Sequence, residues 1–187
     1  LNTKLVNIDA LADSIDENKL PNDVLRYGKV RSQELDRIFT ERCQEAINSV
    51  EDFSYECNLR IDQLKNVELF DNAGYELVLI YIWLDNVDIS KRRVAKRVAN
   101  GGHLVGEKSI CENYTVGLEN LNLSFLDWNE LYIFDNSVDF QNSNETEGFP
   151  LLLHAKNKKI QYCSDLIFQK ENIESKLPEI YERIKTL

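Results

Sequence analysis

Between residues 30 and 50 the apolar side chains Leu35, Ile38, Phe39, Cys43, Ala46, Ile47 and Val50 recur every three or four positions, with charged residues between them. That spacing predicts an amphipathic helix with one buried stripe. Ser32 is placed to cap it, and Glu34, Asp36 and Glu41 favour the positive end of its dipole. Residues 75–84 have a different character, a near-continuous apolar, aromatic and β-branched run, which predicts a strand covered on both faces. Shorter segments predict strands at 4–8, 53–56 and 131–134, and helices at 61–73, 89–100 and 107–121. A polar loop at 138–148 leads to a hairpin of residues 151–155 and 159–162 around Asn157 and Lys158, and an amphipathic helix at 177–187 ends the chain.

Strands alternating with helices predict βαβ units, hence an α/β fold with a mostly parallel sheet. Ligands in such sheets sit at the carboxyl ends of the strands. Asp9, Glu56 and Asp135 fall at or near those ends. An acid there can also simply cap the next helix or close a turn.

Composition narrows the options. The 187 residues, 43% of them hydrophobic, suffice for one domain spanning 1–187 with its own core. The longest apolar run, 77–84, is too short to span a bilayer, so no membrane partner is expected. The net charge of −10 disfavours nucleic-acid backbones. One stretch runs against it: Lys91, Arg92, Arg93, Lys96 and Arg97 form a basic cluster suited to a phosphorylated small molecule. The four cysteines are scattered, with no CxxC pair and no histidine at zinc spacing, so no metal ligand is assigned and reduced thiols in the cytoplasm are expected. No methionine occurs in the chain, and residues ahead of Leu1 are expected.

Several short segments stand in a specific order: Val6-Asn7-Ile8-Asp9, Phe53-Ser54-Tyr55-Glu56, Ala73-Gly74-Tyr75-Glu76-Leu77, Arg93-Val94-Ala95-Lys96-Arg97-Val98, Gly101-Gly102-His103, Gly117-Leu118-Glu119-Asn120-Leu121 and Tyr132-Ile133-Phe134-Asp135-Asn136-Ser137. The series resembles the zeta-toxin-like P-loop kinases over roughly residues 5–137, most specifically from Arg93 to His103. The resemblance implies a three-layer P-loop kinase-like fold. It places a first strand and a GxxxxGK[ST] loop, absent from this sequence, just before Leu1. Without that strand, the run at 75–84 is expected to lack a neighbour and expose an apolar edge.

The resemblance also implies roles. Asp9 is the base that accepts the proton of a substrate hydroxyl, although the position equally suits an N-cap. Glu56 contacts substrate or holds Mg²⁺ through water, and Asn58 contacts substrate, with Cys57-Asn58 departing from the small or hydroxyl residues common in the family. Arg93 and Arg97, four apart on one helix face, reach ATP phosphates, as the forked guanidinium is built to do. Gly101, Gly102 and His103 form a lid turn, and Asp135 and Asn136 lie near the nucleotide base. Cys111-Glu112-Asn113 stands where many relatives carry arginines.

The resulting expectation is an ATP- and Mg²⁺-dependent kinase acting on a hydroxyl of a small metabolite. UDP-N-acetylglucosamine is the kind of acceptor the family points to, and an antitoxin protein the kind of partner. The alternative is a nucleotide- or partner-binding module of the same fold without turnover.

Overall fold

The computed structural model describes residues 5–6, 24–102, 104–137 and 148–187, with side chains from residue 33 onward except at 61–63. Two compact units emerge, Leu1–Cys57 with Asp62–Tyr75, and Asn58–Ile61 with Glu76–Leu187.

In the first unit, β1 (Leu5–Val6) and β2 (Ser54–Tyr55) pair in parallel. Helix α1 (Val24–Ser49) starts ahead of the predicted position, so Ser32 lies inside it rather than at its cap. The reason is visible in the sequence: Val24, Leu25, Tyr27 and Val30 offer further helix-compatible apolar residues upstream of the stripe. Helix α2 (Ile61–Asn72) follows β2. Aromatic packing builds the core. Phe39 meets the edge of Tyr55 at 5.0 Å, Phe53 stacks on Phe70 at 5.2 Å, and Phe70 meets Tyr75 edge-on at 5.1 Å. Such pairs add about 0.5–1.5 kcal/mol each beyond the area they bury. Cys43 is fully buried on the α1 stripe, and burial pushes its thiol up to about 11.

The second unit holds a four-stranded sheet in the order β3 (Val78–Trp83), β4 (Glu130–Asp135), β5 (Leu151–Lys156), β6 (Lys159–Cys163). β3 and β4 are parallel, while β4–β5 and β5–β6 are antiparallel. The chain is therefore α/β with a mixed sheet, not the mostly parallel one expected. The difference lies in the two hairpin strands, β5 running antiparallel to β4 and β6 antiparallel to β5. Asn157 and Lys158 both adopt positive φ, 51° and 63°, the two-residue turn that matches strand twist and returns the chain antiparallel.

Between β3 and β4 run α3 (Val87–Ala99) and α4 (Glu107–Ser124). After β6 come a 3₁₀ turn (Asp165–Gln169), α5 (Ile173–Lys176) and α6 (Pro178–Ile184). α4 packs against α3, α5 and α6, and the 3₁₀ turn packs against β5. One face of the sheet is core: Trp83, Leu131 and Ile133 are buried with Leu121, Ile167, Leu177 and Ile180. The other face is half-open. On it Val78, Ile80 and Ile82 remain 49%, 60% and 42% exposed, so β3 is covered on one face only, contrary to the expectation from its apolar run. Among the described residues β3 pairs with β4 alone.

Two buried asparagines do structural work. Asn120 donates to the carbonyl of Leu59, whose φ of 53° is held there. Asn122 accepts from the amide of Glu179 at 2.9 Å, satisfying the start of α6 that Leu177 cannot cap. No described helix is long and apolar enough to cross a membrane.

The hairpin turn yields a stability test. Lys158 holds a left-handed conformation that glycine adopts without Cβ strain. Lys158→Gly should raise stability by about 0.5–1 kcal/mol, read from the denaturant midpoint at unchanged slope. A lower midpoint would mean that the lysine side chain contributes more than its backbone strain removes.

Candidate functional site

Parallel pairing of β3 and β4 brings two carboxyl ends side by side, and α3 leaves the first of them. Asn86 starts that helix, its side-chain oxygen accepting from the amide of Ile89 at 3.2 Å. Ile89 is buried at the start of a helical row. Residues 92, 93, 96 and 97 follow it three, four, seven and eight positions on, so they share its side of the helix. The helix ends in a left-handed turn. The amide of Gly101 (φ 88°) bonds the carbonyl of Val98 at 3.0 Å, and that of Gly102 bonds the carbonyl of Arg97 at 2.9 Å. A Cβ at Gly102 would stand 2.6 Å from Cγ of Arg97, so glycine here leaves room for the arginine stem. The two glycines expected in a lid turn thus form the helix cap, and His103 lies outside the described residues.

A cleft of about 540 Å³ opens beside this face, lined by Ile89, Arg92, Arg93, Lys96, Arg97, Asn100 and Ser137. Four of the seven are cationic and none is acidic. Arg93 is anchored, its Nη2 donating to the Asn136 carbonyl at 2.6 Å and to Oδ1 of Asn136 at 3.0 Å. Arg92 and Arg97 are exposed, and their guanidinium groups make no hydrogen bond or ion pair with the described residues. Lys91 is turned away, paired with Glu107 at 2.7 Å.

The wall formed by the end of β4 is tightly bonded. The amide of Asn136 reaches the carbonyl of Trp83 at 2.9 Å, continuing the ladder past the strand. Asp135 is buried. Its Oδ1 accepts from Oγ of Ser137 at 2.6 Å and from the Ser137 amide at 3.0 Å, and its Oδ2 from Nζ of Lys170 at 2.5 Å. Burial alone would raise this carboxyl, but the Lys170 and Ser137 bonds outweigh it and hold it below its ordinary value. Oγ of Ser137 in turn accepts from the amide of Asp85 at 3.0 Å. Asp85 takes the indole Nε1 of Trp83 at 2.9 Å, and its carbonyl accepts from Tyr114 and Lys176.

No family model, curated protein or solved structure matches the chain. The cleft's own chemistry therefore has to carry the functional reading. Of the residues expected in a site, Arg93 and Arg97 line the cleft, Asn136 braces Arg93, and Asp135 braces the wall behind Ser137. Asp9 lies outside the described residues. Glu56 is exposed at the end of β2 in the first unit. Asn58 lies in the second unit against α4, its carbonyl 3.0 Å from where a Cβ on Gly117 would stand. Cys111, Glu112 and Asn113 do not line the cleft, and Asn113 and Glu112 engage Arg60 and Lys108 instead.

Ser137, Asp85 and Lys170 were not anticipated as site residues. Asp85 follows the end of β3, so the strand-end rule that singled out Asp135 could have found it. Lys170 sits in a tail without motif, and only tertiary contact reveals it.

Two arginines unpaired among the described residues, beside a cleft whose described lining holds no acid, predict an anion site, since guanidinium groups bind phosphate oxygens in pairs. Inorganic pyrophosphate should bind in calorimetry, more weakly as sodium chloride is raised. Arg92→Ala and Arg97→Ala should each weaken it by about tenfold, the worth of one charge-assisted bond. The melting temperature should hold, since exposed substitutions usually stay within about 0.5 kcal/mol. Undiminished binding in both variants would remove the anion site.

Proposed function

We propose that this chain is an ATP-dependent phosphotransferase of the zeta-toxin type, acting on a hydroxyl of a small metabolite such as a UDP-N-acetylsugar. The supporting observation is the cationic cleft beyond the carboxyl ends of the parallel pair β3 and β4, the place where α/β sheets take ligands. In this reading Arg97 and Arg92 hold phosphate oxygens of ATP. Arg93, braced by Asn136, presents its remaining guanidinium edge to the same group. Phosphoryl transfer needs position and charge neutralisation more than covalent help, and arginines in a cleft supply both. The family resemblance assigns Asp9 to take the proton of the acceptor hydroxyl, and Glu56 and Asn58 to contact the acceptor.

ATP fits the donors of the cleft. Among the described residues no group of three His, Cys, Asp or Glu side chains could hold a metal ion, and Mg²⁺ would come with the nucleotide, as it is commonly bound through substrate phosphates and one or two carboxylates. The cations of α3 are the neutralising charge that this chain itself contributes.

A second reading, a nucleotide-binding module without turnover, is favoured by one observation. Where the family carries arginines, Glu112 and Asn113 are engaged with Lys108 and Arg60 and add no charge to the cleft.

Turnover separates the two. The full-length protein, given γ-labelled ATP, Mg²⁺ and a panel of UDP-sugars and other hydroxyl acceptors, should label one acceptor class. Asp9→Asn should lower that rate by about two to four orders of magnitude, the worth of a positioned base, with nucleotide affinity held. Arg97→Ala should lower kcat/KM by about ten- to a hundredfold. Nucleotide binding with no labelled acceptor would favour the module.

A further inference from the structure

We infer that Lys170 is a positioning residue for the cationic cleft, holding from the chain's tail the β4 turn on which Arg93 is braced. The inference rests on the cleft being a phosphate site.

The tail reaches the cleft's supports at three points. Nζ of Lys170 lies 2.5 Å from Oδ2 of Asp135 and 3.8 Å from Oδ1 of Asp85. Glu171 accepts from Nδ2 of Asn86 at 3.0 Å, the residue that caps α3. Lys176 donates to the Asp85 carbonyl and lies 5.5 Å from the ring centroid of Trp83. The two supports of the cleft, the start of α3 and the turn after β4, are thus clasped by one short segment.

Lys170 is the member on which the others depend electrostatically. Its side chain is 12% exposed and that of Asp135 only 7%. A carboxylate that deep requires a countercharge. The charged and titratable groups around it are Lys170, Asp85 on the β3–α3 loop, Arg93 on α3 through Asn136, Tyr114 on α4, and Glu171 and Lys176 in the tail. Lys170 is the one cation bonded directly to it among the described residues. With the carboxylate charged, its Oδ1 holds the amide and hydroxyl of Ser137, which fixes the intervening Asn136, whose main-chain carbonyl and Oδ1 accept from Arg93. Without Lys170, Asp135 is left buried beside Asp85 and takes up a proton. The Ser137 bonds weaken, the turn loosens, and Arg93 loses its fixed angle.

The test is calorimetric binding of inorganic pyrophosphate to the full chain across a range of pH, each variant expressed as a ratio to wild type so that the titration of pyrophosphate cancels. Lys170→Met should bind about tenfold more weakly at neutral pH, the worth of one misplaced charge-assisted bond. Asp135 is held below its ordinary value in the wild type, so its charge persists as pH falls. In Lys170→Met only the Ser137 bonds are left to oppose burial, and the ratio should fall further from a higher pH downward. Lys170→Arg, which keeps the charge, should recover most of the affinity and the flat ratio. Ser137→Ala removes the hydroxyl bond between Asp135 and the turn, keeps the amide bond and leaves Asp135 paired with Lys170, so it should reproduce part of the weakening even if Lys170→Met folds poorly. Wild-type affinity in Ser137→Ala, or an unaltered pH ratio in folded Lys170→Met, would overturn the inference. Undiminished binding in both Arg92→Ala and Arg97→Ala would instead overturn the phosphate reading itself.

Discussion

Asp135 ends β4 almost out of contact with water, and a carboxylate in that position has to be bonded on every side. Removing an ion from water entails a penalty of several kcal/mol that only close, well-directed partners offset. Much of the local architecture beyond the strand ends follows from that requirement. Ser137 turns back onto one oxygen, and Lys170 arrives from the tail onto the other. The hydroxyl of Ser137 then takes the amide of Asp85, which ties the exit of β3 to that of β4. A single buried charge therefore links two parallel strands, the helix leaving one of them and the segment after the hairpin.

The basic stretch on α3 shows how one cluster divides into different tasks. Lys91 is drawn to Glu107 across the gap to α4, and Arg93 is fixed by two bonds to Asn136. Arg92 and Arg97 are left toward the cleft. Charge spacing put these residues on adjacent rows of one helix face, but it could not say which neighbour each would meet. The Gly101-Gly102 pair belongs to the same design. By closing the last turn of α3 with two backbone bonds, it fixes where the helix stops and so where the Arg97 stem emerges.

What could be read in advance was what local pattern dictates. The strand in β3, the helices α2 to α4, and the hairpin turn at Asn157 and Lys158 all follow from periodicity and turn chemistry. The start of α1 and the 3₁₀ turn and α5 do not. Short elements such as Ile173–Lys176 have little intrinsic stability. Here Ile173 and Leu177 are buried and Glu171 and Lys176 bind the β3–α3 loop, so tertiary contact forms them. The burial of β3 was misjudged for a related reason. An apolar run shows that a strand can be covered on both faces, whereas Val78, Ile80 and Ile82 show that only the face bearing Trp83 is. For the site, Arg93, Arg97, Asp135 and Asn136 were legible as strand-end and helix-face residues. Lys170 was not, because its partner is 35 residues away along the chain and no spacing rule connects them.

The contrast between the cleft and the rest of the chain bears on what the site can admit. The net charge is −10, and the sequence outside the α3 cluster is more negative still. Screening at physiological ionic strength limits each surface charge to a reach of about 8 Å. A small anion inside a cleft of about 540 Å³ therefore responds to Arg92, Arg93, Lys96 and Arg97 at close range, and distant acids are screened from it. A long polyanion cannot be held by the cleft alone. It must also contact surface beyond the cleft, and a net charge of −10 disfavours that further contact. On the phosphotransferase reading, the four cations are a number suited to a phosphorylated metabolite, and the acidic remainder of the sequence weighs against a nucleic-acid backbone.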